Sequence, residues 1–228
     1  MEAVFGIDRL KEITYFFSIE GNIGSGKTTF KRAIETFVNE NGLSALEESK
    51  QVREHVYLLV DEPVAGWTQQ VYSRQNVKGK GANGDSNLYS LLDLFYKEMK
   101  EKMPQLCDDK ESEPKMLDQV ALAFQATTFT SRLSNLLNTL SRMPHHPSGT
   151  KVHIISERSL LTDRLFFSNL NDSGLIPGYQ WKSYDDFFNI ICGHLLKSHN
   201  RIIYLPTSAE KSHERIIRRH RDAEVNND

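Results

Sequence analysis

Four runs rich in β-branched and aromatic residues punctuate the chain, at positions 15–19, 56–60, 152–156 and 201–205. Each is almost continuously apolar, although the last two carry a polar residue or two, and long stretches of helical character separate them. This is the pattern of parallel strands buried on both faces, alternating with helices. Between the first two runs, Phe30, Ala33, Ile34, Phe37 and Val38 recur at helical spacing, which predicts a helix over 28–41 stopped by Gly42. Thr207-Ser208-Ala209-Glu210 has the form of a capping box with Thr207 at the cap, opening a helix that runs to about His220. The whole predicts one α/β domain without repeats. Two polar stretches interrupt it. Residues 73–87 are Gly-rich and predict a mobile surface loop, and 105–117, with Pro114, predict an excursion between two helices. Residues 143–150 predict a turn into the third strand. Its adjacent His145 and His146 point apart with no evident partner carboxylate, which argues against a metal site.

Composition narrows the function classes. The 228 residues hold 28 Lys+Arg against 30 Asp+Glu, a formal net charge of -2. That balance argues against a bulk electrostatic nucleic-acid binder. With 39% hydrophobic and 25% charged residues the chain is ordinary globular protein, not a disordered one. Cys107 and Cys192 are the only cysteines, too few for a disulfide scaffold or a four-thiolate zinc site. No stretch approaches the ~20 apolar residues of a membrane span. The first residues, MEAVFGIDRLKEI, lack the features of a signal or transit peptide. The expectation is a cytoplasmic protein without membrane or nucleic-acid partners.

Chemistry enters at Gly21-Asn22-Ile23-Gly24-Ser25-Gly26-Lys27-Thr28, which fits G-x-x-x-x-G-K-[ST]. It follows a predicted strand and opens a predicted helix, the context that the motif requires. Glycines let successive backbone N–H groups turn inward, and the helix N-terminus adds partial positive charge, so the loop can cradle phosphates. Lys27 would contact the terminal phosphates, Thr28 would ligate Mg²⁺, and Thr29 belongs to the same site. ATP or another nucleoside triphosphate is the expected ligand. The loop alone names no reaction, because ATPases, GTPases and small-molecule kinases share it.

The discriminating residues lie downstream. The second run ends in Asp61-Glu62-Pro63-Val64-Ala65-Gly66-Trp67, placing a carboxylate at the crevice end of a strand. With the phosphate loop, this Glu-Pro-Val-Ala-x-Trp segment resembles the deoxyribonucleoside kinase family, in particular its deoxycytidine and purine-deoxynucleoside kinases. Glu157-Arg158-Ser159 followed by Asp163-Arg164 resembles that family's Glu-Arg-Ser…Asp-Arg segment. Phe124-Gln125 and Ser131-Arg132 resemble its substrate-recognition helix, and Arg215-x-x-x-Arg219-x-Arg221-x-x-Glu224 its arginine-rich lid. The likeness covers roughly residues 13–224, with the motifs in order.

The resemblance implies the three-layer P-loop kinase fold, a central parallel sheet with helices on both faces, and ATP-dependent phosphorylation of a deoxynucleoside 5′-hydroxyl. Glu62 becomes the candidate general base and Arg158 the bridge between donor phosphates and the reacting oxygen. Glu157 is implied to help hold Mg²⁺ beside Thr28. Arg219 and Arg221 become a phosphate clamp, since guanidinium forks suit phosphate oxygens, while Arg218 is expected to point elsewhere. Trp67, Phe124 and Phe167 are implied ring walls. Gln125 offers a donor and an acceptor to a base edge, and Tyr96 and Glu224 match the residues that hold the sugar. Within the family, Arg132 and Asp163 accompany deoxycytidine and purine substrates, not thymidine, and Thr128 does not separate those bases.

Two features depart from the family. The stretch from Lys97 to Phe124 is longer than the usual connection, and the sequence ends at Asp228, before the C-terminal strand and helix with which family members continue. A nucleoside monophosphate kinase, or a catalytically silent nucleotide-binding relative, remain alternative readings. The family is commonly dimeric, so a homodimer through residues 121–140 stands open beside packing of that helix within one chain.

Overall fold

The computed structural model describes residues 7–48, 53–69, 71–73, 88–102, 119–195 and 200–219. After a short 3-10 turn (Ile7–Glu12) its strands are β1 (Ile13–Glu20), β2 (His55–Val60), β3 (Val71–Ser73), β4 (Leu88–Ser90), β5 (Lys151–Glu157) and β6 (Asn200–Tyr204). Its helices are α1 (Lys27–Glu40), α2 (Val64–Gln69), α3 (Leu91–Lys102), α4 (Gln119–Arg142), α5 (Leu160–Asp172), α6 (Gly178–Leu195) and α7 (Ala209–Arg219). The four expected runs form one parallel sheet in the order β2-β5-β1-β6. Helices connect these strands, as parallel pairing demands. Among the described residues, no helix is long and apolar enough to cross a membrane.

Burial on both faces holds for β5, where Val152 through Glu157 are all buried, and less elsewhere. β2 alternates between buried and half-buried residues, and β6 exposes Ile202 and Tyr204. The strand order explains the correction: β2 and β6 are the outer strands, and their apolar runs reflect strand propensity more than two-sided cover. One sheet face packs Val56, Leu58, Val152 and Ile154 against Leu136 and Leu140 of α4. The other carries an aromatic layer, in which the His153 ring stacks on Tyr15 at 5.6 Å and shares a 2.7 Å hydrogen bond with His55.

α4 spans three apolar clusters. Its first turns place Phe124 with Trp67, Leu91 and Leu92, while Ala121 and Phe129 pack with α5 and α6. Its last turns reach the sheet. The helix at residue 209 is capped differently from expectation: Ser208, not Thr207, accepts the Lys211 N–H at 3.3 Å. Thr207 instead donates to the Ser25 carbonyl at 3.4 Å. The predicted 73–87 loop lies largely outside the described residues, but its ends, β3 and β4, pair antiparallel. The 105–117 excursion and Cys107 also lie outside them. Cys192 is buried in the helical cluster, where burial, with Asp163 nearby, pushes its thiol up to about 12.

Candidate active site

Strand register assembles the site. Ser156 of β5 pairs with Ser18 of β1 on one side and Val60 of β2 on the other. The glycine loop after β1, the acids after β2 and Glu157-Arg158 at the end of β5 therefore leave the sheet together. Ligands bind at this crevice, outside the carboxyl ends of strands, in open α/β sheets.

The loop has the backbone that its glycines permit. Gly24 and Gly26 sit at φ 78° and 95°, the left-handed region, with Gly26 capping α1. Lys27 folds over the loop and donates to the Gly21 and Asn22 carbonyls at 3.0 and 2.8 Å. Burial, and then the nearby Arg158 charge, lower its pKa to about 8, against the pull of Glu62, Glu157 and Glu20. The Thr28 hydroxyl donates to Glu157 at 2.7 Å, bringing together the two expected metal ligands.

Across the crevice stands a buried charge cluster. Arg132 donates through one guanidinium nitrogen to Asp163 and through another to Glu62. Arg158 Nε lies 3.4 Å from the same Glu62 oxygen. Burial opposes the Arg132 charge, yet Asp163 and Glu62 outweigh it, and its pKa is raised. Burial also pushes the Asp163 carboxyl above its usual range, although Arg132 opposes this. Arg158 itself adopts φ 63°, costly for a bulky residue at about 1–3 kcal/mol. Its N–H donates to Ile19 at 3.1 Å, its carbonyl accepts from Ser156 Oγ at 2.8 Å, and the next N–H, of Ser159, donates to Glu20 at 2.9 Å. Three hydrogen bonds thus hold the strained turn that aims this side chain.

The cleft extends from the loop to α3, with a volume of about 1280 Å³. Phe95 stacks on Phe124 at 4.7 Å, Trp67 meets Phe124 edge-on, and the Trp67 indole donates to Ser131 Oγ at 2.8 Å. The Arg132 guanidinium lies 4.9 Å from the Trp67 ring. Gln125 is buried, and its Oε1 has no hydrogen-bond partner among the described residues, although it lines the cleft. Tyr96 and Thr128 line the same wall, and the Thr128 hydroxyl donates to the Gln125 carbonyl at 3.0 Å.

The structure therefore brings Gly24 through Thr29, Ile23, Glu62, Trp67, Tyr96, Phe124, Gln125, Arg132, Glu157, Arg158, Asp163 and Arg219 to one cleft. Gly21 and Asn22 contribute the carbonyls that hold Lys27. Phe167 is a correction: it is fully buried among Trp181, Tyr184 and the α5–α6 core. Its neighbour Phe166 lines the cleft instead, 5.4 Å from the Arg158 guanidinium. One residue of helical phase, about 100°, separates the two roles. Arg218 is a second correction, since it lines the cleft with Arg215 and Arg219. Arg221 and Glu224 lie outside the described residues.

Besides Phe95 and Phe166, two charged contributors escaped sequence reasoning. Glu20 orients Ser159, and buried Lys31 pairs with Asp61, tying α1 to the end of β2. A lysine on the core side of an amphipathic helix was the available signal for Lys31. Nothing in the sequence signalled Glu20. His145 and His146 do diverge, the first toward Glu12 and the second to the Ala45 carbonyl at 3.0 Å.

The family model described as deoxynucleoside kinase matches residues 115–228. The chain is 28% identical over 222 residues to deoxycytidine kinase 2 of Gallus gallus, covering 95% of this chain and 67% of that protein. It is 26% identical over 208 residues to a fowlpox virus (strain NVSL) protein named probable deoxycytidine kinase, covering 91% and 62%. To the deoxycytidine kinase of Rattus norvegicus it is 29% identical over 220 residues, covering 95% and 68%. The chain spans about two thirds of the length of these relatives. The family model covers half of the chain, and the chain belongs to the deoxynucleoside kinase family.

Proposed function

We propose that the chain transfers the terminal phosphoryl group of ATP to the 5′-hydroxyl of a deoxyribonucleoside, deoxycytidine or a purine deoxynucleoside in preference to thymidine. The carrying observation is the arrangement around Glu62: a carboxylate joined to two guanidinium groups, in the same cleft as the phosphate loop. Phosphoryl transfer depends on positioning and on neutralising charge, and these are the groups for it. Glu62 accepts the proton of the 5′-hydroxyl as that oxygen attacks phosphorus. Arg158, held by its strained backbone, stands between acceptor and donor phosphates. Arg219 adds positive charge from α7.

Thr28 and Glu157 offer only oxygen ligands, the hard donors that Mg²⁺ prefers, and their 2.7 Å contact fits both on one ion. Bound there, Mg²⁺ supplies charge neutralisation for the donor phosphates. Gln125 is the base reader: a buried amide oxygen without a partner among the described residues is costly unless a ligand donor satisfies it. The Arg132–Asp163 pair lines the same cleft, which supports a base without a methyl group there.

The test is transfer of labelled phosphate from ATP with Mg²⁺ to deoxycytidine, deoxyadenosine, deoxyguanosine, thymidine and their monophosphates. Turnover of one or more of the first three supports the proposal. Phosphorylation of monophosphates alone, or nucleotide binding without any turnover, overturns it.

A further inference from the structure

The glycine loop is packed closely against α7. A Cβ on Gly24 would lie 2.5 Å from the Ser212 carbonyl oxygen, so the α7 backbone rests directly on the loop. Ser212 is buried, alone among the residues of a helix that is otherwise exposed or half-exposed. From the next turn, Arg215 Nη1 donates to the Gly24 carbonyl at 3.1 Å, and Thr207, just before the helix, donates to the Ser25 carbonyl. Lys27 takes the Gly21 and Asn22 carbonyls.

A phosphate cradle needs its N–H groups turned inward and its carbonyl dipoles turned away from the anion. Four loop carbonyls are held by side-chain donors, and two of those donors, Arg215 and Thr207, belong to the 207–219 segment. Lys27 is the donor expected to turn to the phosphates, after which Arg215 and Thr207 remain as outside restraints. We propose that Arg215 is a positioning residue: it acts through the Gly24 carbonyl to hold the loop in its phosphate-binding shape. This inference rests on the kinase reading only for its catalytic readout, because the restraint exists before any nucleotide arrives.

Amide hydrogen exchange of the ligand-free protein is the primary test. Arg215→Ala should speed exchange over residues 21–27 by about ten-fold, the loss expected for one charge-assisted hydrogen bond. Arg219→Ala should not. ADP binding by calorimetry should weaken by a similar factor in Arg215→Ala, and Arg215→Lys, which keeps a donor, should recover most of it. In turnover assays the change should fall on the KM for ATP, leaving kcat and the nucleoside KM close to wild type. Gly24→Ala, which pushes α7 off the loop, should abolish any further effect of Arg215→Ala on exchange. Unchanged exchange in Arg215→Ala with weakened ADP binding would mean that Arg215 acts on the nucleotide alone and not through the loop, and would overturn the proposal. Unchanged ADP binding would also overturn it. Because exchange and ADP binding need no turnover, a silent wild-type chain would count against the kinase reading alone.

Discussion

Glu62 and Asp163 approach the cleft from different elements, the end of β2 and the first turn of α5, yet a single guanidinium, that of Arg132, bridges them. The carboxylate proposed to take the substrate proton and the one proposed to select the base are thereby set relative to each other. A change at either end should be felt at the other.

Replacing Glu62 by Gln should keep the fold, because the amide fills the same space and Arg132 retains Asp163. Turnover of deoxycytidine or a purine deoxynucleoside should fall by about 10²–10⁴, the usual contribution of a positioned base. Phosphate-transfer kinetics beside a thermal melt check both halves, and unchanged turnover removes Glu62 as the base.

Asp163→Ala alone should destabilise the protein by about 3 kcal/mol, since it strips one partner from a buried arginine. Arg132→Met with Asp163→Ala should cost less than the two single changes added together, and should raise kcat/KM for thymidine relative to deoxycytidine. Denaturant titrations and substrate competition measure the two effects. An unaltered substrate ranking would sink the assignment of the pair to base selection.

Lys27 should make nucleotide binding fall with alkaline pH. With its pKa near 8 in the folded free protein, the ammonium that attracts phosphate is lost above that value. ADP affinity should weaken about ten-fold between pH 7 and 9 through this group, and Lys27→Met should flatten the profile. The sign for stability is opposite. The unfolded chain holds this proton more tightly, so the contribution of Lys27 is largest above pH 10.5 and is lost as pH falls through 8.

Phe166 and Phe167 should separate binding from folding. Phe167→Ala empties a fully buried site and should cost about 3–5 kcal/mol. Phe166→Ala, at a 45% exposed position on the cleft, should leave stability within about 0.5 kcal/mol and raise the substrate KM. Melting curves and steady-state kinetics on the two variants would show whether the roles are reversed.

The His55–His153 contact should weaken the protein in acid. Burial, His55 and Lys151 lower the pKa of His153, so the unfolded chain binds this proton more readily. The stability that His153 contributes is full above pH 6.5 and declines as pH falls below that value. His153→Gln should reduce the pH dependence of the denaturation midpoint between pH 5 and 7.

Much of this could be read from the sequence, and the exceptions share physical causes. The four sheet strands were legible because each is a dense run of strand-favouring residues. The phosphate loop was legible because its glycines and lysine have fixed spacing. β3 and β4, three residues each, are too short to carry a periodic signal. Phe167 and Arg218 were misplaced because adjacent helical residues differ by about 100° in direction, and only the packed structure fixes that phase. Arg158's left-handed backbone, the Glu20 contact to Ser159 and the seating of α7 on Gly24 depend on tertiary contacts that local pattern does not encode.

The long α4 carries Gln125 and Arg132 into the cleft while its other faces serve three separate cores. In any survey of random variants, damage along this helix should therefore be correlated: those that alter substrate choice should also lose abundance. α7 is mostly exposed and contributes little to the cores, so its variants should shift nucleotide use with little loss of folded protein. Adaptation to a new donor would then be easier to reach by single steps than adaptation to a new nucleoside.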